Sequence, residues 1–485
     1  MRATVSAGSA LKSQVVNGIA WAAATRALGQ LVNWAITLVV LRTLRPHDYG
    51  LMAIVVAVTG LLQSLGSAGL LDAVVQARTL DRAGKQQAFG LVLLANGIFI
   101  VVLLSVAGPL ARFYAMPDLA PLLCAASLSF VPTALGTMSR AQLQQDLALK
   151  HTSRVEMLAA MVAAAGTLGL ALAGAGVWSL MAGFLLTQLI MAVGYYRLAP
   201  YAYMPTLSGN AWRHLLRFGS WRMAEHLLWV MTGQIDIFLA GKLLPQAGLD
   251  LYAVARTLSA LPLSKLALVI KPVWFPAFSA MQNDRPLAVT YLRNGMHMLG
   301  FIAFPVLFGI AAVAPELVAV VLGPRWAGLS VPLSLLSLGM LLRPAGMLIG
   351  PFLLGLGEMR ASFLNSLQGL LVFAVAYSIG SQWGLVGLCV GSAVAYPVQF
   401  VLLARRTGRV AKTKVADLLR PLLQPLVIAA LMFVSVSALR AVLPPTWPDT
   451  ARLALLIGLG VSFYAAAVFA FCRPVLTDAL RLLRP

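Results

Sequence analysis

MLAAMVAAAGTLGLALAGAGVWSLMAGFLLTQLIMAVGYY, residues 157–196, contains no Asp, Glu, Lys or Arg, and neither does ASFLNSLQGLLVFAVAYSIGSQWGLVGLCVGSAVAYPVQFVLLA, residues 361–404. These runs of 40 and 44 residues are each about twice the ~20 apolar residues that cross a ~30 Å hydrocarbon layer. Backbone in hydrocarbon must satisfy its own hydrogen bonds, so each run reads as two membrane helices joined by a tight turn. The turns are expected at Gly174-Ala175-Gly176 and at Gly380-Ser381-Gln382-Trp383-Gly384.

The rest of the chain fits that reading. Of its 485 residues 60% are hydrophobic and 11% charged, whereas a soluble globule has about a quarter charged. It is therefore expected to be an all-α polytopic membrane protein. Cys124, Cys389 and Cys472 lie in or beside apolar runs with no CxxC pair, which makes them small packing residues rather than redox or metal groups. The first apolar stretch, Val15 to Leu41, is interrupted by Arg26, unlike the short unbroken core of a cleaved signal peptide, and reads as a retained span.

The length rule yields fourteen candidate spans, the first centred near Leu28 and the last near Leu459. With a cytoplasmic N-terminus, the cytoplasmic segments hold 22 Lys and Arg and the opposite ones 7. That bias puts both termini in the cytoplasm. The densest loop, Arg405 to Lys414, is expected to set topology and face lipid headgroups, with no nucleic acid as partner. All loops are short, which argues against an extracytoplasmic catalytic module.

The chain repeats weakly at about 200 residues. Leu44-Arg45-Pro46-His47-Asp48-Tyr49 closes the first span as Leu243-Leu244-Pro245-Gln246-Ala247-Gly248 closes the seventh, and Asp81-Arg82 follows span two as Asp284-Arg285 follows span eight. Six spans per unit is an even number, so the units share orientation. The expected architecture is two parallel six-helix lobes, residues 1–200 and 201–410, around a central cavity, with residues 411–485 adding two further helices.

An ionised side chain deep in a span costs roughly 2.5–3.5 kcal/mol on insertion scales, so it needs a wet cavity, a partner or the membrane edge. Arg26, Gln30, Asn33 and Thr37 share one face of span one. They either line the cavity or glue helices together by hydrogen bonds. Span seven carries Arg222, Glu225 and Asp236 on one face. Arg222 and Glu225 could neutralise each other; in the functional alternative, Glu225 or Asp236 takes up H⁺ or Na⁺. Arg256 and Arg343 lie within spans eight and ten and are further cavity candidates. Four deep arginines against two acids make a net basic cavity, suited to phosphate or carboxylate.

No GxxxxGK[ST], HExxH or GxSxG occurs, so neither a P-loop nor these catalytic motifs supply a chemistry, and no cofactor is expected. Leu41-Arg42-Thr43-Leu44-Arg45-Pro46-His47-Asp48-Tyr49-Gly50, followed by Gly69-Leu70-Leu71-Asp72-Ala73-Val74-Val75-Gln76, resembles the first two spans of the Wzx-type polysaccharide flippases of the multidrug/oligosaccharidyl-lipid/polysaccharide exporter superfamily, in their exopolysaccharide branch. The motif is confined to roughly residues 17–85; span count, lobes and short loops extend the likeness over the chain. The resemblance implies movement of an undecaprenyl-diphosphate-linked oligosaccharide across the bacterial cytoplasmic membrane, with membrane lipids and the polymerase and co-polymerase of the same pathway as partners. It also implies a cationic cavity, onto which Arg26 and Arg343 carry over by position and chemistry alone. Two other readings compete: a cation-coupled multidrug exporter, which would want an acidic cavity, and a membrane polysaccharide polymerase or ligase, which would want long extracytoplasmic loops.

Overall fold

The computed structural model describes residues 36–66, 82–146, 148–202, 204–207, 211–444 and 446–471, and every regular element among them is helical. After a helical segment at 36–43 come α1 Pro46–Gly66, α2 Arg82–Tyr114, α3 Leu119–Ser127, α4 Phe130–Gln145, α5 Leu149–Leu172 and α6 Val177–Leu198. There follow α7 Ala211–Leu243, α8 Gln246–Ala280, α9 Arg285–Ala312, α10 Ala314–Leu317, α11 Ser330–Gly339, α12 Arg343–Gly346 and α13 Ile349–Gly355. The chain continues through α14 Met359–Gly380, α15 Gly384–Ala411, α16 Val415–Val442 and α17 Asp449–Phe471.

Both expected turns are present. Gly174 and Gly176, at φ of 82° and 54°, separate α5 from α6, and Gly384, at φ 68°, opens α15 after the short turn Ser381–Trp383. Only a residue without Cβ enters that region freely, so the glycines fix where each charge-free run doubles back.

Ten stretches among the described residues are long and apolar enough to cross a membrane. One of them, Met359–Ala411, is the pair α14 and α15. The helices α7 and α8, of 33 and 35 residues, are not among the ten; they carry several of the charges that the sequence places within spans. The expected first span falls mostly outside the described residues, so the multi-pass helical architecture is observed and the tally of fourteen is not complete within them.

The repeat marks helix boundaries. Pro46 begins α1 and Pro245 immediately precedes α8, the fixed φ of proline being preorganised for a helix start. Arg82 begins α2 and Arg285 begins α9, where the Asp284 carboxylate caps the helix by accepting from the Leu287 N–H at 3.0 Å. Expected spans four and ten are both broken: the former into α3 and α4, the latter into α11, a turn at Met340–Leu342, α12 and α13.

Described residues up to Asp48, within Gly69–Leu110 and within Pro117–Arg217 form one compact unit. In it α5 and α6 pair along their length, with Tyr195, Val155 and Leu143 in a buried cluster. The second unit contains Tyr49–Ala68, Ala111–Met116 and the described chain from Phe218. Its core runs through Phe278, Met296, Phe304, Leu348, Phe352 and Leu422. Here α16 packs along α9 and α17 along α16.

A carboxylate secures these last two helices. Glu316 on α10 is buried, and its Oε1 accepts from Arg440 Nε at 3.0 Å and lies 3.4 Å from Arg452 Nη2. Arg440 is in the last turn of α16 and Arg452 in the first turn of α17, so the tight hairpin between them delivers both cations to one acid. The sequence reading leaves Glu316 among the loop acids; packing against two helices that follow more than a hundred residues later buries it. Glu316→Ala leaves two guanidinium groups without their carboxylate. The expected loss is roughly 3 kcal/mol, the low end for breaking a buried pair because the Arg440 side chain is 37% exposed. It should appear as a lower melting temperature of the purified protein, with Glu316→Leu/Arg440→Met/Arg452→Met recovering most of it.

Candidate functional site

The hairpin of α7 and α8 turns at Leu244-Pro245. Antiparallel helices joined so tightly face each other at roughly equal distances from the turn, which sets Asp236 of α7 opposite Tyr252 and Arg256 of α8. Those two are four residues apart and share a face. Asp236 is buried, and its Oδ2 accepts from the Tyr252 hydroxyl at 3.0 Å and from Arg256 Nε at 2.5 Å. The Ile237 N–H donates to Oδ1 at 2.9 Å. Arg256 Nη2 further donates to the Gly233 carbonyl and, at 3.3 Å, to Gln234 Oε1. Acid and base thus neutralise each other inside the second unit.

Arg343 has a different environment. It stands at the start of α12, immediately after the turn Met340–Leu342 and just before Pro344, whose ring cannot continue a preceding helix unbroken. The backbone there tightens to a 3₁₀ turn without leaving the helical region, the local adjustment that satisfies backbone groups around a proline in a membrane helix. The guanidinium lies 5.8 Å from the centroid of the Tyr396 ring, and Nη1 donates to Met340 Sδ at 3.8 Å. Both neighbours are soft and neutral. No carboxylate among the described residues forms an ion pair with Arg343, so its charge is uncompensated there.

The other expected site residues are placed only in part. Arg26, Gln30 and Asn33 lie outside the described residues. Arg222 and Glu225 fall on α7, three residues apart, which gives them neighbouring places on the helix; their side chains are not among those described. Asp236 and Arg256, assigned from sequence to separate tasks, are partners. Among the described candidates, then, the basic excess reduces to Arg343. Tyr252 and Tyr396 escape the sequence reading because a tyrosine in a span has no distinctive spacing. The one available signal is that Tyr252 and Arg256 are four apart on a helix following a tight hairpin.

Comparison with known proteins places this geometry in context. The model of the family described as "Polysaccharide biosynthesis protein" matches residues 39–331, more than half of the chain. The chain is 24% identical to the lipopolysaccharide biosynthesis protein WzxC of Escherichia coli (strain K12), over 81% of this chain and 80% of that one. It is 26% identical to the succinoglycan biosynthesis transport protein ExoT of Rhizobium meliloti (strain 1021), over 73% and 72% respectively. Its fold is similar to that of the lipid II flippase MurJ in an inward closed conformation, with a TM-score of 0.74 at 14% identity, covering 93% of this chain and 100% of that one. It is also similar to an inward-facing multidrug resistance transporter of the MATE family, of the MOP superfamily, with a TM-score of 0.60 at 17% identity over 79% and 96%.

The buried pair makes a stability prediction independent of any transport role. Asp236→Leu strands the Arg256 charge and should cost about 3–5 kcal/mol, whereas Asp236→Leu/Arg256→Met removes both charges together and should recover most of that loss. Melting temperature and monodispersity on size exclusion measure it. A double variant as damaged as the single one would show that the two residues are not coupled.

Proposed function

The chain belongs to the polysaccharide biosynthesis protein family, and from that premise we propose that it flips an undecaprenyl-diphosphate-linked oligosaccharide repeat unit from the inner to the outer leaflet of the bacterial cytoplasmic membrane. The product supplies exopolysaccharide or lipopolysaccharide synthesis. The relatives named for biosynthesis and transport of such polymers support this reading, and so does the superfamily fold. The observation that carries it is Arg343: a guanidinium at the break of a membrane helix, beside an aromatic ring and a thioether and without an ion-pairing acid among the described residues.

The physical demands of the task suit such a site. A diphosphate cannot enter ~30 Å of hydrocarbon without a compensating charge, while its polyprenyl tail belongs in the lipid. The protein therefore has to shield the head and leave the tail outside. An unpaired guanidinium, forked and weakly hydrated, suits phosphate oxygens. The breaks in spans four and ten supply backbone irregularity of the kind alternating access uses. The Lys and Arg bias of the loops supports cytoplasmic termini. The chain acts as a transporter rather than an enzyme, and the polymerase and co-polymerase of the pathway receive its product.

Ion coupling through Asp236 has a definite form. A proton or Na⁺ on that carboxylate takes the place of Arg256, and the freed guanidinium then becomes available to the anionic guest. Export of organic cations is the poorer reading, because the acid of the described pair is already neutralised by an arginine.

Reconstituted into vesicles, the protein should flip a fluorescent undecaprenyl-diphosphate-linked sugar. Arg343→Ala should slow this at least tenfold, the loss expected on removing a charge-assisted hydrogen-bond donor, with Arg343→Lys intermediate and membrane insertion unchanged. In cells, Arg343→Ala and Arg26→Ala should each abolish surface polysaccharide. Normal polymer from both variants would overturn the assignment of a cationic path.

A further inference from the structure

The 44-residue charge-free run that forms α14 and α15 carries few strongly polar side chains, and three of them meet. Asn365 and Gln368, three apart on α14, face Gln399 on α15. Arg406 joins them from two turns further along the same helix. Arg406 Nη1 donates to Asn365 Oδ1 at 2.7 Å and Nη2 to Gln368 Oε1 at 3.1 Å. Gln399 Nε2 donates to the Asn365 carbonyl at 3.2 Å, and Gly369 makes room for it, since a Cβ there would stand 2.9 Å from that nitrogen. From α7, Thr232 Oγ1 donates to the Ser366 carbonyl at 3.3 Å.

This arrangement is a poor way to glue helices. Arg406 is held by neutral amide oxygens, and no carboxylate among the described residues pairs with it. Asn365 Nδ2, Gln368 Nε2 and Gln399 Oε1 are buried without a partner among the described residues, and Asn365 and Gln399 are only 6% and 9% exposed. Reversing either amide that holds the guanidinium would set donor against donor, so Arg406 fixes both. An unmet buried hydrogen bond costs about 1–3 kcal/mol. Three within one hydrogen-bonded cluster, beside a cation with no carboxylate among the described residues, leave a deficit: two amide donors and a guanidinium that want an anionic acceptor, and one carbonyl that wants a hydroxyl.

We propose that Asn365, Gln368, Gln399 and Arg406 form a binding subsite for the sugar-phosphate junction of the lipid-linked oligosaccharide, an inference that rests on the function proposed above. Phosphate oxygens accept from Arg406 and from the Asn365 and Gln368 amides, and a sugar hydroxyl donates to Gln399 Oε1. Arg406 is half-buried whereas the three unpartnered atoms are enclosed. The ligand therefore meets the guanidinium first and reaches the amides as Arg406 turns towards it. In the sequence this arginine is one of a dense basic loop; only the structure separates it from its exposed neighbours Arg405 and Arg409.

The test uses the full chain in phosphatidylcholine nanodiscs, with undecaprenyl-diphospho-glucose and undecaprenyl diphosphate as probes. Arg406→Gln and Asn365→Asp should each weaken binding of the first probe by roughly ten- to a hundredfold, the worth of charge-assisted hydrogen bonds. Gln399→Leu should weaken the glucose-bearing probe and leave the bare diphosphate unchanged. The key variant is Asn365→Asp, whose carboxylate pairs with Arg406 and preserves or raises the melting temperature while repelling phosphate. If it binds like the wild type, the cluster is helix glue and the subsite is overturned. Equal effects of Gln399→Leu on both probes would overturn the sugar contact, and displacement by phosphatidylglycerol at equal mole fraction would reassign the site to a general lipid headgroup. A wild type that flips the lipid-linked sugar beside variants that bind and flip equally well refutes only the subsite. A wild type that neither binds nor flips it refutes the proposed function, and this subsite with it.

Discussion

The cost of an unpaired charge in hydrocarbon governs how this chain is built. It sweeps Asp, Glu, Lys and Arg from residues 157–196 and 361–404 and collects them in short connections. It also limits what those few retained inside can do. Asp236 is matched by Arg256 and Tyr252, and Glu316 by Arg440 and Arg452. Each pairing joins helices that would otherwise be held by apolar contact alone, which is weakly specific when lipid tails are as apolar as the side chains. The charges therefore help to fix how α7 lies against α8 and how α16 and α17 lie against α10.

Three arginines of the second unit occupy graded environments. Arg256 has a full counter-charge, Arg406 has two amide dipoles, and Arg343 has an aromatic face and a thioether. The weaker the compensation, the more an arriving anion gains by completing it. An anion thus has little to offer Arg256 unless Asp236 is first neutralised, whereas at Arg343 and Arg406 it would meet no competing carboxylate among the described residues. On the proposed function the same residue type serves as scaffold or as receptor according to its partner.

Much of the fold is legible in the sequence because it follows from one-dimensional rules. Run length gives the spans, Gly174, Gly176 and Gly384 mark the turns, and Pro46, Pro245, Arg82 and Arg285 of the repeat stand at helix starts. The candidate site is legible only as a set of residue types. Asp236 and Arg256 are each conspicuous in an apolar helix, yet nothing in their spacing says that they pair; that depends on the tightness of the Leu244-Pro245 turn. Glu316 is less legible still, since its partners are 124 and 136 residues away and its exposed-looking position belongs to a loop until α16 and α17 fold over it. Arg406 is hidden by its company: five basic residues in ten positions read as one topogenic cluster, and only the amides on the facing helix draw one of them inward.

A transporter must also let go. A diphosphate seized by several desolvated arginines at once would be bound too tightly to leave, just as ion pores need sites strong enough to admit a guest and weak enough to release it. In the described part of the second unit the arginines are not clustered around one another but each has its own neighbours. Arg343 and Arg406 are each backed by neutral groups, and the charge of Arg256 is balanced by Asp236. Under the proposed function a guest is held by one cation at a time, with amide and aromatic neighbours making up the remainder, and leaves more readily than it would from several cations at once. In the proposed function the Asp236–Arg256 pair is the point at which an ion would act. On that proposal, neutralising the carboxylate frees a third cation for the guest, and restoring the pair withdraws it.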